Sequence, residues 1–285
     1  MVSQRLKSSY CKSFFVLFVV AFSLLAFAGE GESSINTALP EGITPDEIIR
    51  KFAAKEAEFK KARAQYTYRQ DAKVQTLDGG EVDGEYRQVI DITFDDKGKR
   101  IENVVFAPQP TLRRIGLSPE DHEDLEKRLP FVLTSEEIGQ YNILYVGQEH
   151  VDELDTYVFD ISPKTLEKGK RYFKGRIWVD DHDFQIVKTY GKSVPDKRAK
   201  KSGESENLFP KFTTYREQID GKYWFPTYTI ADDTLHFSDN NNVDIRMVVK
   251  YQNYQRFGAK VKITYDGKEI PKGNDGAEQK EPTPK

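Results

Sequence analysis

The chain has 285 residues, a single cysteine and a formal net charge of −3, with 43 Lys and Arg against 46 Asp and Glu. One thiol excludes internal disulfides as the source of stability, so the fold depends on a hydrophobic core, which a chain of this length can supply. The lack of a basic surplus argues against nucleic acid as a partner.

The first 28 residues have the pattern of a secretory signal. Arg5, Lys7 and Lys12 precede an apolar run that ends at Ala26-Phe27-Ala28, a small-residue cleavage motif. The run is short for a transmembrane helix, which needs roughly 20 apolar residues. Cleavage is favoured over retention as a membrane anchor, which is the alternative. The mature chain then has 40 Lys and Arg against 46 Asp and Glu, no cysteine and no transmembrane span.

Residues 29–43 are predicted to be a flexible lead-in to a single domain that spans 44–258. Thr44-Pro45-Asp46-Glu47 combines an N-cap threonine, a proline at the first helical position and two acids in the first turn, which predicts a helix over 44–65. Its apolar residues share one stripe, so the helix needs a sheet to pack against.

Alternating apolar and polar residues predict about ten antiparallel strands beyond this helix. A Ser-Pro-Glu-Asp sequence opens a short helix over 118–128, a polar loop is predicted over 193–207, and the tail 266–285 is predicted to be disordered. The predicted strands are 66–76, 86–95, 100–107, 141–148, 155–162, two in the hairpin 170–191, 209–219, 222–230 and 243–254.

The pattern of apolar residues in the hairpin 170–191 predicts how its two strands pair. One face of the hairpin is markedly more apolar than the other, and Trp178 is predicted to lie on the opposite, outer face. The predicted cross-strand pairs are Val179 with Phe184, Ile177 with Ile186, and Phe173 with Tyr190.

The second hairpin is predicted from Asp220-Gly221, a strong two-residue turn signal. Counting outward from this turn places Arg216 opposite Phe225, and we interpret these two as a surface cation-π pair. Pro226 implies an edge or a bulge at this point.

Motifs that would carry catalysis are incomplete. His122-Glu123 begins like a zinc-protease helix, but the second histidine is replaced by Glu126. Gly191-Lys192-Ser193 resembles the end of a phosphate loop, but Ile186 stands where its first glycine belongs. Asp180-Asp181-His182-Asp183 could offer ligands to a cation, yet a tight polar turn is the favoured interpretation. We therefore predict no catalytic residue, no metal site and no cofactor.

Aromatic residues are abundant on the predicted strands, since the chain has 15 Tyr and 18 Phe. Core packing and cross-strand pairing explain most of them. The alternative is a strongly curved sheet that lines a groove for an apolar ligand.

Two stretches carry a family resemblance. Residues 175–188 read GRIWVDDHDFQIVK and residues 209–229 read FPKFTTYREQIDGKYWFPTYT. Together with the secretion signal, the N-terminal helix and about ten strands, they resemble the LolA-like family of bacterial envelope proteins, often called outer membrane lipoprotein-sorting proteins. The resemblance covers roughly 44–257.

The resemblance implies a mainly β, α+β fold: a single curved antiparallel sheet that forms an unclosed half barrel around an N-terminal helix and a short lid helix. The apolar interior would hold acyl chains of a lipid or lipoprotein. The helix over 118–128 and the loop over 107–116 are the predicted lid. No residue is assigned to the arginine that holds the lid in the family's carrier, and no lipobox is present.

The expected function is a periplasmic, non-enzymatic carrier or chaperone for acyl chains. The alternative is an envelope protein-binding or stress-sensing module of the same fold, which would use an exposed aromatic face around Trp224 and Tyr228. The sequence does not indicate the oligomeric state. The predicted groove lining consists of Phe52, Phe59, Ile92, Phe106, Phe173, Ile177, Val179, Phe184 and Ile186.

Overall fold

The structure of the protein is a computed structural model that describes residues 35–95, 97, 99–195, 207–237 and 241–256, together with two short strands in the tail. The predicted signal sequence, the first part of the predicted lead-in, the centre of the predicted polar loop and most of the predicted disordered tail lie outside the described residues. Among the described residues, no helix combines the length and the apolar character needed to cross a membrane.

Ten strands form one antiparallel sheet, in which hairpins join most successive strands and the last long strand returns to the first. They are β1 (Tyr66–Asp78), β2 (Glu81–Phe94), β3 (Arg100–Phe106), β4 (Tyr141–Val151), β5 (Leu154–Pro163), β6 (Tyr172–Asp180), β7 (Ile186–Val194), β8 (Phe212–Ile219), β9 (Tyr223–His236) and β10 (Asn242–Arg256).

The order across the sheet is β3-β2-β1-β10-β9-β8-β7-β6-β5-β4. Because β3 and β4 end the sheet without pairing with each other, the barrel is unclosed, and the predicted mainly β half-barrel fold is confirmed. A separate small hairpin pairs β11 (Thr264–Tyr265) with β12 (Lys268–Glu269).

Helix α1 (Pro45–Arg63) begins at the predicted N-cap. The backbone N–H of Glu47 donates to Thr44 Oγ1 at 3.3 Å, and the N–H of Thr44 donates to Glu47 Oε2 at 2.9 Å, which completes a capping box. Its buried stripe includes Ile48 and Phe52, which pack into the main apolar cluster on the inner face of the sheet. We use "inner face" for the side of the sheet that carries the helices.

Helix α2 (Pro119–Lys127) is the second predicted helix and is capped in the same way. The Ser118 N–H donates to Asp121 Oδ2 at 2.8 Å, while the Asp121 N–H donates to Ser118 Oγ at 3.2 Å. Leu125 turns toward the inner face, and the segment after the helix adds Leu129 and Leu133 to the same cluster.

The register of the β6-β7 hairpin differs from the predicted one. Phe184 is not paired in the ladder but lies in the turn, with a positive φ of 53°. A bulge at Trp178 and Val179 then shifts the remaining pairs. The observed pairs are Val179 with Ile186, Ile177 with Thr189, and Phe173 with Ser193.

The predicted separation of the two faces is confirmed for β6 and the start of β7, but Tyr190, predicted on the apolar face, is 43% exposed. Ile177, Val179 and Ile186 are buried in the main inner cluster. Trp178 belongs to a different cluster together with Val158 and Val187, so it points to the outer face.

Hairpin β6-β7 also contains a facing pair of glycines that leave no room for a Cβ. Gly175 faces Gly191 across the ladder, and a Cβ at Gly191 would lie 2.6 Å from Cζ of Phe173. The ring of Phe173 therefore occupies the space above Gly191, an arrangement in which an aromatic ring covers a glycine of a neighbouring strand.

The two edges of the sheet differ. Asn36 forms two backbone hydrogen bonds of 2.8 Å with Gln148, so the lead-in covers part of the β4 edge. Edge strand β3 instead exposes Ile101, Val104, Val105 and Phe106, each 48–55% accessible.

Candidate functional site

The inner face contains a cavity of about 400 Å³ at the end of the sheet covered by α2. Its floor comes from the strands, with Val74 of β1, Leu235 of β9, and Ile245 and Met247 of β10. Most of the lining is apolar. The lining residues are Val74, Arg114, Ile115, Gly116, Leu117, Ser118, Asp121, Asp124, Leu125, Leu129, Arg171, Ser193, Leu208, Phe209, Pro210, Phe212, Leu235, Phe237, Ile245 and Met247.

Two segments roof this cavity. The first is residues 114–129, which include α2, and the second is residues 208–212, which lead into β8. The predicted lid helix thus lies over an apolar space. Arg114 holds the start of the first segment, because its guanidinium donates to the carbonyl of Leu77 and forms an ion pair with Asp83 at 2.9 Å between Nε and Oδ2.

A charged group stands at the mouth of the cavity. Nη1 of Arg171, just before β6, donates to Asp121 Oδ1 at 3.0 Å and to Asp124 Oδ2 at 2.8 Å. Both carboxylates belong to α2, so this arginine ties the helix to the sheet. The guanidinium of Arg171 also lies over the ring of Phe209, with 4.3 Å between Cζ and the ring centroid.

Asp124 is the most connected of these groups. Ser193 Oγ of β7 donates to its Oδ2 at 2.9 Å, and Nε of Arg128 lies 3.2 Å from its Oδ1. Burial raises the pKa of Asp124 above its ordinary value, while Arg171 and Arg128 act in the opposite direction. Arg128 further donates to the Arg171 carbonyl oxygen at 2.9 Å from Nη2, which adds a backbone tie between the two elements.

A second ion pair lies deep in the core. Nη1 of Arg216 in β8 donates to Oε1 of Glu56 in α1 at 2.9 Å, and the two side chains are 1% and 0% exposed. Nη2 of Arg216 donates to the carbonyl of Phe131 as well. Burial raises the pKa of Glu56, and the charge of Arg216 opposes that effect.

The predicted surface pair of Arg216 and Phe225 is therefore wrong. A bulge at Tyr215 and Arg216 places Arg216 opposite Pro226, which agrees with the bulge predicted there. The guanidinium lies over the ring of Phe59, with 5.2 Å between Cζ and the ring centroid, on the buried side of the sheet. Its partner Glu56 lies 160 positions away in the chain.

The structure places the nine predicted groove residues outside the lining of the cavity. Six of them are fully buried members of the main inner cluster, with Phe184 packed against it; Phe59 belongs to a smaller neighbouring cluster, and Phe106 is exposed on β3. The six are Phe52, Ile92, Phe173, Ile177, Val179 and Ile186.

The acidic turn is organised around one buried carboxylate. Asp180 Oδ2 accepts the backbone N–H groups of His182 at 3.1 Å and Asp183 at 2.6 Å, as expected for an aspartate that stabilises a turn. Asp180, Asp181 and His182 bring their ligand atoms within 4.8 Å of one another. The carboxylate of Asp180 is already committed to the turn.

Trp224 and Tyr228 do not form the exposed aromatic face that was expected. Both side chains are half-buried, and Trp224 Nε1 donates to Asp183 Oδ2 at 3.1 Å. Trp224 also packs against the outer cluster that contains Trp178.

Sequence reasoning missed most residues of the cavity. The predicted lid includes residues 107–116 and 118–128 but not Leu117, and the strand predicted over 209–219 assigns Phe209 and Pro210 to the sheet. One signal was available: Leu208, Phe209 and Phe212 are apolar residues directly beside a polar loop, a position where exposed loops seldom carry several large apolar side chains.

No family model matches the chain, and no curated protein matches it. Several solved structures are similar to it. A DUF1329 family protein from Desulfovibrio piger is 15% identical, with a TM-score of 0.38, over 72% of this chain and 92% of that chain. A putative outer membrane lipoprotein-sorting protein domain from Vibrio parahaemolyticus is 15% identical, with a TM-score of 0.39, over 72% and 92%.

A LolA superfamily protein from Nitrosomonas europaea is 16% identical, with a TM-score of 0.32, over 72% of this chain and 93% of that chain. At these scores, the similarity carries no argument about what this chain binds.

Proposed function

We propose that this protein is an exported, periplasmic, non-enzymatic carrier that holds the acyl chain of a lipid or lipoprotein in the cavity beneath α2. The observation that carries the proposal is the cavity itself, about 400 Å³ in volume and lined mostly by apolar side chains. This volume falls in the range of about 300–1,000 Å³ that is typical of small-molecule sites.

The chemistry of the lining favours a hydrocarbon. Leu125, Phe212, Leu235 and Met247 offer carbon and sulfur atoms but no hydrogen-bonding group to the interior. Each methylene group that moves from water into such a space contributes about 0.8 kcal/mol. An acyl chain of ordinary length therefore gains enough to bind without specific polar contacts in the interior.

The predicted groove residues remain part of this proposal as the wall behind the cavity. Phe173 contacts the cavity-lining Phe212, with 5.7 Å between the ring centroids. Movement of α2 away from the sheet would extend the cavity toward Phe173 and Ile177, which belong to the same apolar cluster as Leu125.

The first test is direct. The purified mature protein is extracted with organic solvent, and the extract is examined for lipid by mass spectrometry. The delipidated protein is then titrated with a fluorescent fatty acid, and displacement by unlabelled palmitate is measured. We expect co-purified lipid and saturable binding at one site.

A cavity-filling variant locates the site. Val74→Phe on β1 places a ring into the cavity and should weaken palmitate binding at least tenfold, because the space for the chain is taken. Val104→Phe, at a 55% exposed position on β3, adds the same ring outside the cavity and should bind as the unaltered protein does. Equal binding by both variants would place the ligand elsewhere.

A protein-binding role is the second candidate, and the exposed edge strand β3 favours it. An edge strand with apolar side chains can accept an extended segment of another protein as an additional strand. Val105→Lys should then abolish capture of an envelope protein partner, whereas Leu144→Lys, at a 65% exposed position on the opposite edge, should not. Retained capture by Val105→Lys would exclude β3 as the contact.

A further inference from the structure

The position of Arg171 points to the kind of ligand that the cavity takes. We propose that Arg171 binds the anionic headgroup, a carboxylate or a phosphate, of an amphiphile whose tail fills the cavity. This inference rests on the proposed carrier function and specifies its ligand. Its basis is that only one of the three guanidinium nitrogens of Arg171, at the mouth of an apolar space, donates to the carboxylates of α2.

The guanidinium of Arg171 is only partly used by the protein. Both of its hydrogen bonds to Asp121 and Asp124 come from Nη1. Within the part of the chain that the structure describes, Nε and Nη2 donate to no acceptor, and the side chain keeps 20% of its surface exposed. Nε and Nη2 form the edge of the guanidinium that can donate a pair of hydrogen bonds to the oxygens of a carboxylate or phosphate.

The orientation of this group is already set before a ligand arrives. The two carboxylates hold one side of the guanidinium, and the ring of Phe209 lies 4.3 Å below Cζ. Phe209 lines the cavity itself. A headgroup at Arg171 is therefore adjacent to the apolar interior, as an amphiphile requires, and little side-chain entropy is lost on binding.

The other charged groups at the mouth are less suited to a headgroup. The guanidinium of Arg114 donates to the Leu77 carbonyl and pairs with Asp83. Asp121 and Asp124 both accept from Arg171, and Asp124 is also paired with Arg128 and accepts from Ser193. A cationic headgroup would compete with Arg171 for these carboxylates, whereas an anionic one uses nitrogens that they leave open.

The test uses the delipidated mature protein and three probes with the same hydrocarbon tail: palmitate, hexadecyl phosphate and hexadecanol, titrated by calorimetry at pH 8. We expect one or both anionic probes to bind at least tenfold more tightly than hexadecanol, because charge-assisted hydrogen bonds are about twice as strong as neutral ones. The difference between palmitate and hexadecyl phosphate identifies which oxyanion the site prefers.

Arg171→Met removes the charge at nearly constant length. It should abolish the preference for anionic probes, so that palmitate and hexadecyl phosphate bind this variant no more tightly than hexadecanol does, because the tails make the same apolar contacts. The matched control is Arg176→Met on β6. Nε of Arg176 lies 2.8 Å from Oδ1 of Asp160, and neither residue lines the cavity. This control should keep the full preference.

Several outcomes would overturn the inference. Hexadecanol binding as tightly as the anionic probes in the unaltered protein would remove the headgroup site and leave the carrier function standing. An equal loss of all three probes in Arg171→Met would assign Arg171 to holding α2 closed. Displacement of palmitate by inorganic phosphate alone would indicate a site for free anions. If no probe binds, hexadecanol included, the carrier function itself fails.

Discussion

At each end of the inner face an arginine pairs with carboxylates of a helix, but the two pairs differ in how far they are exposed to solvent. At the end covered by α1, Arg216 of the sheet reaches Glu56, and both side chains are at most 1% exposed. At the end covered by α2, Arg171 reaches Asp121 and Asp124, which are 30% and 14% exposed. The first end is filled with side chains, whereas the second encloses a cavity.

We infer from this difference that the first pair has a structural role and the second a functional one. A buried ion pair that loses one partner leaves an uncompensated charge in the core, so the first pair fixes α1 on the sheet. A partly hydrated pair costs little to rearrange. The second pair can therefore change partners when α2 moves or when a ligand arrives, without a large loss of stability.

The sharpest test of this contrast replaces each arginine by methionine. Arg216→Met should lower the free energy of unfolding by about 3–5 kcal/mol, because Glu56 stays buried without its partner. Arg171→Met should lower it less, by about 1–2 kcal/mol, since Asp121 is 30% exposed and Asp124 keeps Arg128 and Ser193 as partners. Urea denaturation followed by circular dichroism measures both. Equal losses would mean that the two ends do not differ in this way.

Two leucines in the segment after α2 test whether one end of the inner face is filled while the other contains a cavity. Leu133 is 0% exposed and does not line the cavity, whereas Leu129 does. Leu133→Ala should cost about 3–5 kcal/mol and Leu129→Ala about 2 kcal/mol, because a side chain that borders empty space has fewer contacts to lose. Thermal unfolding of the two variants under one condition gives the comparison. A larger loss at Leu129 would contradict a pre-existing cavity.

The smallest expected effect is a pH dependence in the Arg216→Met variant. Without the arginine, burial holds the pKa of Glu56 further above its ordinary value of 4.5. The native state then binds a proton that the unfolded state releases, so stability is highest at low pH and falls as pH rises through the native pKa. The change cannot exceed about 1.4 kcal/mol per pH unit.

Urea denaturation from pH 5 to pH 8 should therefore show the Arg216→Met variant recovering stability on acidification, relative to the unaltered protein. The double variant Glu56→Gln with Arg216→Met is the control, and it should lack this dependence because no carboxyl group remains at position 56. A variant whose stability declines on acidification would show that Glu56 gains water in place of its partner.

The local elements of the fold could be predicted from the sequence because their signals are local. Thr44 and Ser118 with the residues just after them specify the two helix starts, and Asp220-Gly221 specifies a hairpin. The register of β6 and β7 could not be predicted, since Phe184 adopts a positive φ and a bulge follows in the ladder. Neither feature has a sequence signal that outweighs an apolar pattern.

The site was less predictable than the fold because it depends on distant contacts. The cavity is formed where α2, the stretch before β8 and the strands β9 and β10 meet, and α2 ends at Lys127, far in sequence from the stretch that begins at Leu208. The same is true of Arg216, whose burial depends on Glu56. A lone arginine on a strand reads as a surface residue until its partner is known.

Gly191 limits the substitutions that related chains can carry at this position. Its missing side chain leaves room for the ring of Phe173, which stacks on Phe131 with 4.5 Å between the centroids, and the carbonyl of Phe131 accepts from Arg216. A methyl group at position 191 would push this stack toward the core pair. Related chains that keep Arg216 and Glu56 should therefore keep glycine here, so these three positions should be inherited together.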